Sequence, residues 1–304
     1  MAIGVSLIIT CKNEEKTIKG LLDSVVKQSK KPNELVIIDG GSTDSTVDII
    51  RSYAKRYSWI RFAISNGASV GKGRNIAVTK ARNPIIAVTD VGCILEKDWL
   101  KNISQPFLKE DVDVVVGTYK PYHENDFEYF QGMLTTPPNQ ERAERAKWTS
   151  KSLAFRKKVW IKVNGYPNLS TGEDTNFHLK LFKHGCKYVF AKNAIVYWHM
   201  RKMWKDFFKQ FYYYGRGDKK SGNLWNQKYK LIIVFGFWAY LLATLIFLIT
   251  EPPVANLLIS LFLLYFILYG LKLALMSKKL EGIFYGFFLL LIKRIAFILG
   301  ATFG

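Results

Sequence analysis

Cysteine is scarce in this sequence. The three present, Cys11, Cys93 and Cys186, lie far apart with no metal-type spacing. That gives no zinc site, and reduced thiols packed inside a cytosolic domain are the expectation. The glycine-rich phosphate signatures are also missing. GxxxxGK[ST] is absent and no GxGxxG follows the first strand, which excludes a P-loop NTPase and a dinucleotide-binding Rossmann domain. The opening residues, MAIGVSLIITCKNEE, have no basic n-region and run straight into a strand and a helix, so no signal peptide is expected. Acids are in short supply: 24 Asp and Glu against 44 Lys and Arg, a formal net charge of +20. Such an excess asks for an anionic partner: nucleic acid, an anionic bilayer leaflet or a phosphorylated substrate.

Apolar residues are unevenly spread. Residues 1–230 read as a soluble α/β protein, whereas 231–304 are nearly all apolar. In the first part strand and helix alternate. Val5–Thr10 is a β-branched strand, and Asn13-Glu14-Glu15 starts a helix with apolar face Ile18, Leu21, Leu22, Val25 and Val26. Leu35–Ile38 is a buried strand ending on Asp39. Gly40–Thr46 then feeds a helix, Trp59–Ile64 is a third strand, and Gly71-Lys72-Gly73-Arg74-Asn75 opens another helix. The continuous run Ile85–Val88 is a strand covered on both faces, followed by Asp90 and Gly92. Four alternations predict a mostly parallel sheet with a ligand crevice at its carboxyl edge. Glu14, Asp39, Asp44, Arg74 and Asp90 each fall at a strand end or helix start. Any one alone reads as a cap or turn residue; five at one edge point to a polar ligand. Beyond them, Val112–Thr118 is a strand and His123–Arg145 reads as a loop-rich, acceptor-facing region. Lys187–Ala191 and Ala194–Trp198 read as edge strands.

On these residues a resemblance can be stated. SLIITCKNEEKTIKGLLDSVVKQSKKPNELVIIDGGSTDSTVDII, then GKGRN, AVTDVGC and TGEDTNFHLKLFKHG, together resemble glycosyltransferase family 2 over about residues 3–200. The resemblance implies a Rossmann-like, glycosyltransferase A-type nucleotide-diphospho-sugar domain and an inverting enzyme. It implies a donor site of Thr10, Asn13, Glu14, Asp39, Asp44, Arg74, Asp90 and Gly92, with Asp39 on the base. Asp174 is implied as general base, with Glu173 beside it on the acceptor side. Asp90 would be the first acid of an Asp-x-Asp motif whose second acid is here Gly92. One carboxylate and a diphosphate make a thin ligand set for Mg2+ or Mn2+, so the implied metal site is Asp90 with His199.

The remainder reads as membrane-bound. Arg201–Lys220 alternates aromatic and basic residues at helical spacing, as an interfacial helix does. Leu231–Ile249 and Val254–Met276 are long enough to span a bilayer. Ile283–Phe303 is apolar but contains Lys293-Arg294, costly at mid-bilayer. It is expected to lie at the interface, to re-enter, or to bind an anion such as a lipid phosphate. Lys228, Lys230, Lys272, Lys278 and Lys279 put residues 1–230 in the cytoplasm by the positive-inside rule. The expected domains are 1–200 (catalytic), 201–228 (interfacial) and 229–304 (membrane). Arg201, Lys202, Arg216, Lys293 and Arg294 are the acceptor or lipid candidates. The expected partners are a nucleotide-sugar donor (UDP- or GDP-linked), a polyprenyl phosphate or lipid-linked glycan, the cell membrane and a second copy of the chain, but no nucleic acid. A cell-surface or exopolysaccharide glycan transferase and a non-catalytic nucleotide-binding partner stay open.

Overall fold

The computed structural model describes residues 3–137, 140 and 149–304. Its elements, in chain order, are β1 (Val5–Cys11), α1 (Ile18–Val26), β2 (Glu34–Asp39), α2 (Thr46–Arg56), β3 (Ile60–Ile64), α3 (Val70–Lys80), β4 (Ile85–Val88), β5 (Cys93–Leu95), α4 (Trp99–Ser104) and β6 (Val114–Tyr122). There follow α5 (Asp126–Thr135), β7 (Leu153–Arg156), α6 (Lys157–Lys162), α7 (Glu173–Lys183), β8 (Tyr188–His199), α8 (Trp204–Lys220), α9 (Asn223–Asn226), α10 (Lys228–Thr250), α11 (Pro252–Ser277) and α12 (Glu281–Phe303). The chain divides into two compact units, Met1–Pro121 with Pro137–His199, and Tyr122–Thr136 with Met200–Gly304.

The first unit is built on one eight-stranded sheet in the order β3-β2-β1-β4-β7-β6-β8-β5. β1 pairs parallel with β2 and β4, and β2 with β3, while β7 runs antiparallel to β4 and β6. Continuous apolar runs explain the parallel half: Leu7, Ile8, Ile9 and all of β4 are fully buried, as strands flanked by helices on both faces must be. In the order 3-2-1-4 the chain reverses direction across the sheet beside β1, which opens a crevice at the carboxyl ends of β1 and β4. Three local expectations need correction. α1 begins at Ile18, not at Asn13, because residues 13–15 are bonded to the loop after β2. The two predicted edge strands are one strand, β8, interrupted only in exposure at Lys192-Asn193, and it lies inside the sheet next to the edge strand β5. Residues 126–135 of the predicted loop-rich region form helix α5, capped by Asn125, whose Oδ1 accepts from Glu128 N at 2.9 Å. Residues 138–139 and 141–145 of that region lie outside the described residues.

The second unit is helical. Phe127 and Phe130 of α5, Phe207 and Phe211 of α8, and Leu289 and Ala296 of α12 form its core with Leu273. α8 and α12 cross backbone to backbone: a Cβ on Gly215 would lie 2.0 Å from Phe297 O, and one on Gly300 1.9 Å from Tyr212 O. Three helices among the described residues, α10, α11 and α12, are long and apolar enough to cross a membrane, at 23, 26 and 23 residues. The segment around Lys293-Arg294 is therefore one unbroken helix of spanning length.

Candidate active site

The loops after β1 and β2 are fastened together. Asn13, in the left-handed region at φ 55°, accepts from Thr43 N on Oδ1 at 2.8 Å, and its own N–H donates to Ser42 Oγ at 2.8 Å. Glu14 N donates to Thr46 Oγ1 at 2.7 Å, and Glu15 N to Asp44 Oδ2 at 3.2 Å. Asp44 also accepts from Thr46 N at 3.0 Å, an Asx turn that leads into α2. Asp39, fully buried, takes Gly41 N and Ser42 N on Oδ1 at 2.9 and 2.8 Å and Ser42 Oγ on Oδ2 at 2.5 Å. It is the anchor of the turn at the end of β2. Burial, with Asp39 next to it, pushes the Cys11 thiol well up, so this thiol is unreactive.

The adjoining half of the crevice is organised by Arg74. Its side chain is 3% exposed, and its guanidinium forks between two carboxylates. NH2 meets Asp90 Oδ1 after β4, and NH1 meets Glu173 Oε1 at the start of α7, both at 2.6 Å. Its third contact is the Tyr166 ring, 5.3 Å from centroid to Cζ, and Tyr166 in turn stacks on Phe177 of α7 at 3.9 Å. Burial pushes the Glu173 carboxyl up to about 7, reinforced by the Asp174 carboxylate and opposed by Arg74. Glu173, expected on the acceptor side, is thus a buried partner of Arg74. Asp174, the next residue, is half-buried and accepts from Thr175 N at 2.7 Å. One turn further, His178 is fully buried against Tyr188 OH at 3.2 Å, and burial lowers it to about 4, which leaves it neutral.

The glycines of GKGRN serve packing. A Cβ on Gly71 would meet Pro167 O at 1.9 Å, and one on Gly73 would meet Thr10 Cγ2 at 2.9 Å. They let α3 start close against the 167–169 loop and β1, which carries Arg74 into the crevice. Asn75 then grips that loop, accepting from Tyr166 N at 2.9 Å and donating to Tyr166 O at 2.8 Å. Asn75 and Tyr166 were not singled out from sequence. Their signal was present in Asn75's position next to Arg74 and in the turn at 164–167.

His199 comes to the Asp90 turn through the backbone: its N–H donates to Gly92 O at 2.9 Å. Gly92 has φ +87° and open space beside it. The residues present do not fit a protein-built centre for a divalent cation. Asp90 has one oxygen on Arg74, Gly92 stands at the second acid, and among the described residues no three His, Cys, Asp or Glu gather as a ligand set.

The basic candidates of the second unit are separate from one another. Arg201 is held by two buried glutamines: its N–H donates to Gln131 Oε1 at 2.7 Å and its Nε to Gln210 Oε1 at 2.9 Å. Lys202 pairs with Glu124 at the surface. Arg216 lies against Gly304. Lys293 donates to Leu134 O at 3.4 Å and sits over the Phe211 ring, whereas Arg294 reaches Tyr265 OH at 3.3 Å on α11. The two adjacent cations face different helices.

Two family models match the chain: glycosyl transferase family 2 over residues 6–164, and glycosyl transferase family group 2 over 129–293. Among curated relatives, a probable glycosyltransferase YdaM of Bacillus subtilis is 23% identical over 71% of this chain and 55% of its own length. A dolichyl N-acetyl-alpha-D-glucosaminyl phosphate 3-beta-D-2,3-diacetamido-2,3-dideoxy-beta-D-glucuronosyltransferase of Methanococcus voltae is 27% identical over 69% and 71%. The chain spans about half or less of the first curated relatives it matches, 42%, 55% and 19%. A solved mannosyltransferase, PcManGT of Pyrobaculum calidifontis in complex with GDP-Man and Mn2+, shares the fold at TM-score 0.56 and 17% identity, over 73% of this chain and 65% of that one.

Proposed function

The chain belongs to glycosyl transferase family 2, and from that premise we propose that it transfers a sugar, with inversion, from a nucleoside diphosphate donor to a membrane lipid acceptor. The acceptor class is a polyprenyl phosphate or a glycan built on one. The observation that carries this reading is Arg74: it ties the Asp90 turn of β4 to the first turn of α7, where Asp174 stands.

The donor's nucleoside lies along the fastened loops of residues 13–15 and 42–46, and its diphosphate at the Asp90–Gly92 turn. Asp174 takes the acceptor's hydroxyl proton as the acceptor oxygen bonds to the anomeric carbon. The carbon–oxygen bond to the diphosphate breaks on the opposite face, and the electron pair leaves with the diphosphate. An α-linked donor so gives a β-linked product. With an acceptor phosphate already ionised, Asp174 positions it instead.

The lipid reading draws support from the three apolar helices, from Lys293 and Arg294 among them, and from the Methanococcus relative, whose name specifies a dolichyl phosphate-linked substrate. A cation inside the bilayer costs about 3 kcal/mol or more, and binding an anionic ligand would offset that cost. The basic flanks at Lys228, Lys230, Lys272, Lys278 and Lys279 support a cytoplasmic catalytic unit.

The test is turnover of the detergent-purified chain against UDP- and GDP-sugars with polyprenyl phosphate. Sugar on the lipid phosphate is expected. Donor binding with transfer only to a lipid-linked glycan would move the acceptor one step along. No binding of any nucleotide sugar would overturn the reading.

A further inference from the structure

Resting on that donor site, we propose that Lys151 holds the donor's diphosphate, so that its single ammonium does the work of a second acid and a divalent cation together. The first ground is the donor set itself. Gly92 removes the second acid, and Arg74 occupies one oxygen of Asp90 at 2.6 Å.

The second ground is where Lys151 lies. β7 runs antiparallel to β4 with Leu153 opposite Val88. Two residues back along the chain from Leu153 is Lys151, and two residues on from Val88 is Asp90, so both stand at the same end of this strand pair. Lys151 Nζ sits 4.3 Å from the Trp198 ring centroid and 5.2 Å from that of Tyr119, and these rings meet edge to face at 6.3 Å. Cation–π contacts of this kind hold an ammonium in place. Trp198 is the cross-strand partner of Cys93, whose N–H donates to Asp90 O at 3.2 Å. The next residue, His199, is bonded to Gly92 O. The ammonium therefore packs on two rings, one of them carried by the residue that pairs with Cys93, the first residue after the Asp90–Gly92 turn. Lysine binds phosphate as a compact point charge. As the bond from the anomeric carbon breaks, the electron pair settles on a diphosphate oxygen, and the added charge falls beside Lys151. Lys151 keeps its protons in this step.

The experiment measures calorimetric binding of UDP, GDP, uridine and guanosine to the full-length chain in detergent, in EDTA and in MnCl2, for the wild type, Lys151→Gln and Lys151→Arg. The wild type is expected to bind its matching diphosphate in EDTA about as well as in MnCl2. Lys151→Gln should weaken the diphosphate by about 10–100-fold, the size of one hydrogen bond to a charged group, and leave the nucleoside unchanged. Lys151→Arg should recover most of the loss, which separates charge from ring packing. Wild-type diphosphate binding that needs Mn2+, or unchanged binding in Lys151→Gln, would overturn the assignment while nucleoside binding keeps the donor site standing. No nucleoside binding at all would overturn both.

Discussion

Replacing Arg74 by Met is the sharpest perturbation of the crevice. The variant keeps the length and the apolar stem but strands two carboxylates. They do not suffer equally. The Asp90 side chain is 30% exposed and can rehydrate, whereas Glu173, at 7%, cannot. Removing one partner of a buried pair costs about 3–5 kcal/mol; with one carboxylate able to reach water, the low end, about 3 kcal/mol, is expected. At roughly 2–4 °C per kcal/mol for a unit of this size, the melting midpoint in detergent should fall by about 6–12 °C. The pH dependence has a definite sign. Without Arg74 the Glu173 carboxyl rises further above about 7, so the penalty is full where it would be ionised and fades as it takes up a proton. The loss should thus be larger at pH 8 than at pH 5.5, and Glu173→Gln in the Arg74→Met background should recover about half of it. Equal melting of wild type and Arg74→Met, or a loss independent of pH and of Glu173, would refute the account of Arg74 as the charge holding these elements together.

Three further outcomes follow from the same geometry. In the otherwise wild-type chain, Glu173 is raised from 4.5 to about 7, so its contribution to stability is fully present below about 4.5 and is lost as pH rises through about 7; Glu173→Gln should flatten that stretch of a stability–pH curve. Gly71→Ala would drive a Cβ to 1.9 Å from Pro167 O, and should cost about 1–3 kcal/mol in thermal melts while raising donor KM through the displaced start of α3. Lys293→Gln should raise the KM for a lipid phosphate acceptor and leave donor affinity unchanged by calorimetry, with an unaltered acceptor KM counting against the lipid reading.

The parallel half of the sheet was legible because its strands are continuous apolar runs, each closed by a polar residue. Asp39 and Asp90 stand where those runs predicted. What they touch was not legible. Arg74 and Glu173 are 99 residues apart in sequence, and only the fold reveals that the acid beside Asp174 is the arginine's partner. Helix α5 was hidden because Asp126–Thr135 mixes polar and aromatic residues, and its Phe127 and Phe130 are buried against helices that follow far later in the chain. β8 read as two strands because Lys192-Asn193 are exposed and polar at its middle, although the backbone runs straight through. Asp39 read as a ligand for the base; that its carboxylate also anchors the Gly41–Ser42 turn was not legible, because the turn's shape is set only in the fold.

The central claim is that Asp174 acts on the acceptor and not on the donor. The direct measurement is Asp174→Asn in parallel assays of sugar transfer and of nucleotide-sugar binding. The account predicts donor affinity equal to wild type, with turnover onto a hydroxyl acceptor down by about 100-fold or more, the scale of general base catalysis. Full turnover in Asp174→Asn, or a loss confined to donor binding, would contradict it.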